Sequence, residues 1–76
     1  MTVPSIAIVA GRVLAGLTQT DLAKLAGLSR RTVAALETGR TVAAESVEAM
    51  INALSDVGVT VTDEGARIVI IRERKA

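Results

Sequence analysis

The sequence contains no cysteine, no histidine and no Phe, Trp or Tyr. The first two absences together remove the usual zinc ligands, thiol nucleophiles, disulfide staples and imidazole bases. An enzyme built from this chain would have to work with carboxylates and lysine alone. The acids are spread over one helix face and one turn instead of converging in a cleft, so neither catalysis, metal, cofactor nor a small-molecule ligand is expected. Long apolar runs are also missing. None approaches the ~20 residues of a membrane span, and no basic leader precedes the IAIVA stretch from Ile6, so a soluble cytoplasmic chain is expected. Without aromatics, the core must be assembled from thirteen Ala, ten Val, seven Leu, six Ile and two Met.

Such a core is thin. The 76 residues are about half of a typical ~150-residue domain, which points to one small domain with no room for a second, sensory one. A core of this size seldom supplies more than ~3–5 kcal/mol, and with disulfides and metal excluded the remaining reinforcement is oligomerisation. The net charge of +1 conceals a strong polarity. Residues 1–44 carry five bases and two acids, residues 45–64 five acids and no base, and residues 65–76 four bases and one acid. Basic, acidic and basic blocks predict a polarised surface.

Apolar periodicity and capping signals divide the chain into four helices and a hairpin. Ser5 caps a helix over about 5–16, with Ile6, Val9, Val13 and Leu17 as its apolar stripe and Gly16 as its end. Thr18 and Asp21 form a T-x-x-D capping box opening a helix over 19–26, which is expected to bury Leu22, Leu25 and Ala26. Gly27 suits the left-handed residue that closes it, and Leu28 folds back as an apolar plug. Ser29 caps a third helix, over 29–38, that buries Val33 and Leu36 and stops at Gly39. A fourth, over 44–55, opens with Glu45 and Glu48 and buries Val47, Met50, Ile51 and Leu54. From Val57 the period changes to two. Strands are expected over about 57–62 and 66–72, joined by turn chemistry at Asp63-Glu64-Gly65. The second strand carries Ile68-Val69-Ile70-Ile71, apolar on both faces. An uncovered edge of that kind aggregates, so a dimer interface of Val59, Val61, Ile68, Val69, Ile70 and Ile71 with a second copy is expected.

Two short helices joined by a Gly-containing turn outline a helix-turn-helix. Residues 12–40, RVLAGLTQTDLAKLAGLSRRTVAALETGR, resemble the Cro/phage-repressor, or XRE-like, family of DNA-binding domains over about 29 consecutive positions, with matching spacing of Gln, Ala-Gly, Ser, Leu-Glu and Gly-Arg. The resemblance implies a mainly α, four-helix λ-repressor-like domain, here followed by a C-terminal β-hairpin where many members have a fifth helix.

What the resemblance implies for function follows residue by residue. Arg30 and Arg31, at the start of the recognition helix, occupy base-reading positions; an arginine fork suits guanine O6 and N7. One turn on, Ala34 and Ala35 offer methyls to a thymine or simple clearance. Gln19, Ser29, Thr32, Thr38, Gly39 and Arg40 match backbone-contacting positions, which hold phosphates without reading sequence. Arg12 and Glu37 match a structural ion pair between the first and third helices. The implied protein is a transcriptional regulator, a repressor acting as a homodimer on a palindromic operator. The lack of aromatic platforms favours duplex DNA over single strands. For Arg67, Arg72, Arg74 and Lys75, a second DNA contact and protection of the strand edge are both open. Two other readings stand beside the regulator. One is a protein-interaction module (antitoxin, antirepressor or anti-activator) that binds a protein partner through the hairpin; the other is a DNA-bending recombination accessory factor.

Overall fold

A computed structural model describes residues 5–64 and 67–73, excluding the side chains of Asp63, Glu64, Arg67 and Ile68. Four helices lead into an antiparallel hairpin: α1 Ser5–Leu14, α2 Gln19–Ala26, α3 Arg30–Glu37, α4 Ala44–Asp56, β1 Val59–Glu64 and β2 Arg67–Arg72. The core is shared by all four helices and β1, whose Ile8, Leu22, Val33, Met50, Leu54 and Val59 are fully buried. No single helix among the described residues is long and apolar enough to cross a membrane.

Half of the expected stripe of α1 is on the wrong side: Leu17 packs against the core and Val9 is half-buried, but Ile6 and Val13 face out. The helix buries Ala7, Ile8 and Gly11, while Ile6 is 64% and Val13 62% exposed. With apolar residues all round α1, periodicity could not choose its inner face; close approach and one charge do. A Cβ on Gly11 would lie 3.0 Å from Val61 Cγ2 and 3.1 Å from Leu54 Cδ1, so glycine lets the hairpin and α4 approach this face more closely than a larger residue would without their side chains giving way. Arg12 fixes the rotation by reaching α3. In α2 the buried pair is Leu22 and Ala23, with Ala26 packed at the rim, and Leu25 points into solvent.

The fourth helix ends at Asp56 and a turn takes up the expected strand start. Val57 N–H still donates to Leu54 O (3.1 Å) and Gly58 N–H to Ser55 O (3.0 Å), so β1 begins only at Val59. Gly58 makes the reversal at φ +88°, and its carbonyl accepts the Glu73 N–H at 2.6 Å. A Cβ there would also meet Glu73 O at 3.2 Å. Gly58→Ala is therefore expected to cost about 1–2 kcal/mol from the left-handed backbone alone, seen as a lower urea midpoint with an unchanged slope.

Pairing of β1 with β2 continues through Asp63 and Glu64, with Glu64 opposite Arg67, so these two acids belong to the strand instead of the expected turn. The register corrects the expected interface. Val59 and Val61 face the helices at 0% and 3% exposure and belong to the chain's own core, joined from β2 by half-buried Ile70, the partner of Val61. On the other face Thr60 lies opposite Ile71 and Thr62 opposite Val69, leaving Ile71 53% exposed and Val69 half-buried. Arg72 is exposed; the Ile68 and Arg67 side chains, and Arg74 and Lys75, lie outside the described residues.

Candidate nucleic-acid interface

The interface is built on two short helices whose ends are closed locally. Thr18 Oγ1 accepts the Asp21 N–H and Asp21 Oδ2 accepts the Thr18 N–H, both at 3.0 Å, satisfying two otherwise orphaned donors at the head of α2. Hydrogen bonding to the carboxylate, from the Thr18 backbone N–H first and then from the Thr18 hydroxyl, lowers the Asp21 carboxyl below its ordinary range. At the other end Leu28 N–H reaches Ala23 O at 2.8 Å around Gly27, which turns the chain toward α3 and seats Leu28 against the core. Ser29 Oγ then accepts the Thr32 N–H at 3.2 Å. This cap makes Arg30 and Arg31 the first two residues of α3, both exposed, while Val33 and Leu36 bury the opposite side.

Arg31, Ala34, Ala35, Thr38 and Arg40 line a shallow hollow of about 200 Å³. A second, of about 390 Å³, continues from Arg31, Thr32 and Ala35 to the head of α4 at Ala43 and Ser46. The spacing i, i+3, i+4, i+7 from Arg31 places one arginine, two methyls and a hydroxyl on a single outward face. Exposed Arg40 closes the far end, after Gly39. The acids Glu45, Glu48 and Asp56 are exposed and line neither hollow.

Hydroxyl protons are limited here. Thr38 Oγ1 donates to Ala35 O at 2.9 Å and so spends its proton within the helix. Ser29 Oγ and Thr32 Oγ1 are 3.0 Å apart, so one proton joins them and the other stays free for an outside acceptor.

Beneath this surface a polar chain crosses three helices. Arg12 Nε donates to Glu37 Oε2 at 2.7 Å and Arg12 Nη2 to Oε1 at 3.1 Å, with side chains 17% and 8% exposed. Arg12 Nη1 also donates to Leu17 O at 2.8 Å, holding the turn after α1. Gln19 Nε2 donates to Glu37 Oε1 at 3.0 Å, and Gln19 Oε1 accepts from Arg30 Nη1 at 3.0 Å. Hydrogen bonding to Glu37 raises the Arg12 pKa. Burial pushes the Glu37 carboxyl up, but hydrogen bonds from Arg12 and Gln19 with the Arg12 charge outweigh it, and the group lies below its ordinary value.

The Gln19 amide, matched in sequence to a phosphate-contacting position, is thus committed on both ends to protein partners. Nothing in the sequence signals this, since its partners stand 18 and 11 residues away. Arg31 has no hydrogen-bonded side-chain partner among the described residues.

Two capped helices around a glycine turn, with exposed arginines heading the second, define a helix-turn-helix domain of the DNA-binding class. The family model described as helix-turn-helix matches residues 8–60, more than half of the chain, and the chain belongs to this family, of XRE and Cro type. The family is one of DNA-binding regulators and not of enzymes. A search of curated proteins gave no match.

Proposed function

We propose that the chain is a sequence-specific duplex-DNA regulator, a repressor that binds a palindromic operator as a homodimer. The observation that carries the reading is the exposed Arg30–Arg31 pair at the capped head of α3, beside a concave face continued by Ala34, Ala35, Thr38 and Arg40. A helix head fits the ~12 Å major groove, and an arginine fork matches guanine O6 and N7. Ala34 and Ala35 face thymine methyls or give clearance. Arg40, the Gly39 backbone and the free proton of the Ser29–Thr32 pair serve phosphates, as does Thr38 if its hydroxyl releases Ala35; Gln19 serves them through its backbone N–H at the head of α2.

The dimer reading rests on different features. Val69 and Ile71 stand outward on a two-stranded sheet whose outer edges have no partner among the described residues, and Ile6 and Val13 leave α1 apolar outside. An apolar strand face left uncovered beside an unpaired edge invites association, which favours pairing with a second copy. Two recognition helices about 34 Å apart then read successive major grooves.

Selection from a random duplex pool at ~150 mM salt, where non-specific binding is reduced, is expected to enrich a palindrome with guanine in each half-site. Arg30→Ala and Arg31→Ala should each cost about 1–3 kcal/mol and relax one base position. No enrichment from a folded sample moves the assignment to a protein-binding module, and an enriched site whose preference survives both substitutions overturns the roles of these arginines.

A further inference from the structure

The two arginines at the head of α3 differ in one respect: Arg30 is tethered and Arg31 is not. The tether runs from Arg30 Nη1 to Gln19 Oε1 and from Gln19 Nε2 to Glu37 Oε1, each step 3.0 Å. Its direction is dictated at the buried end. A carboxylate only accepts hydrogen bonds and a guanidinium only donates them. An amide between the two has one permitted orientation, NH₂ toward Glu37 and C=O toward Arg30.

We infer that Glu37 is a positioning residue for base recognition, setting the preference at the base read by Arg30 by fixing the orientation of the Gln19 amide. The inference rests on the DNA-reading proposal above. It gives an acid held between α1 and α3, whose carboxylate is engaged by Arg12 and Gln19, a share in sequence specificity. Gln19, matched in sequence to a backbone-contacting position, becomes a specificity residue as well. A side chain held in its binding geometry loses less freedom on binding, so the tethered arginine discriminates more sharply than the same arginine released.

Glu37→Leu tests the argument directly. Glu37 Oε1 accepts from both Arg12 Nη2 and Gln19 Nε2 while Oε2 accepts only from Arg12 Nε, so a glutamine there would keep its amide oxygen on the Oε1 side and go on holding Gln19. Leucine offers no acceptor, the Gln19 NH₂ loses its anchor, and the amide no longer holds Arg30 in one position.

The readout is the ratio of affinities for the selected operator duplex and for one substituted at the base read by Arg30. That base is located beforehand as the position where Arg30→Ala loses preference. All variants are measured at a temperature where urea melts show them folded. Glu37→Leu and Gln19→Ala are each expected to lower the ratio about 5-fold, the worth of about one net hydrogen bond. Because both act through one relay, the double variant should lose no more than either single one, and neither should change the ratio in an Arg30→Ala background. Gly58→Ala, destabilised at a point remote from the relay, should keep the wild-type ratio. A purely structural Glu37 would lower stability and leave the ratio intact, overturning the inference while DNA reading stands; additive effects of the two substitutions would overturn it equally. A wild type without base preference overturns the DNA-reading proposal, and this one with it.

Discussion

Arg12→Ala should leave the protein only marginally folded at room temperature. The substitution strands Glu37, 8% exposed, in a site where Gln19 becomes its sole side-chain partner, and frees the Leu17 carbonyl as well. Breaking a buried pair from one side costs about 3–5 kcal/mol. Arg12 is 17% exposed, so water reaching the site favours the lower end of that range. Even about 3 kcal/mol is most of what a core of this size supplies. Removing both charges is a different matter: Arg12→Met with Glu37→Leu fills the space without an orphaned ion and should recover much of the loss. Urea denaturation followed by circular dichroism separates the three proteins. If Arg12→Ala melts like the wild type, the pair is an ornament of the surface.

The same pair predicts acid sensitivity of definite sign. The native Glu37 carboxyl lies below its ordinary value of 4.5, so protons bind the unfolded chain more readily than the folded one. Its contribution is fully present above that ordinary value and is lost as pH falls from there through the depressed native one. The wild-type urea midpoint should therefore drop on acidification through this window, with a shallower drop in Glu37→Gln.

Ile71→Lys should abolish the proposed dimer while sparing the fold. Ile71 is 53% exposed on the outer face of β2, opposite Thr60, and contributes nothing to the buried core. Substitutions at such positions usually move stability by no more than about 0.5 kcal/mol. Two lysines brought together across a two-fold interface would instead repel. Tethering of two reading heads raises avidity by about 100-fold or more, and a monomer forfeits that gain. Sedimentation should show a monomer, and affinity for the full palindrome should fall to that for a half-site. Deleting the hairpin cannot replace this test, because Val59 and Val61 would leave the core with it. A dimer that persists in the Ile71→Lys variant places the interface elsewhere, with the α1 stripe of Ile6 and Val13 the next candidate.

Several features were legible because they are local. The Thr18–Asp21 box, the Ser29 cap, the reversal at Gly27 and the change of period after α4 each involve residues within a few positions of one another. Chain chemistry alone specifies them. Val33 and Leu36 were legible for a related reason: charged and polar neighbours leave α3 only one apolar side to bury. Beginning α3 at Ser29 also sets which two arginines stand at its head.

Other features required the folded chain. In α1 every side is apolar, so hydrophobicity could not rank Ile6 and Val13 against Ala7 and Ile8. The choice fell to the face that carries Gly11, where the hairpin and α4 come within van der Waals reach of the helix. Val59 and Val61 alternate as any strand would, and only the helices beneath them made that face the core. The path from Glu37 through Gln19 to Arg30 is the extreme case, its members brought together by packing alone. Periodicity and caps act over one or two turns and are written in adjacent residues; the facing of an element and the orientation of an amide depend on partners that only tertiary contact supplies.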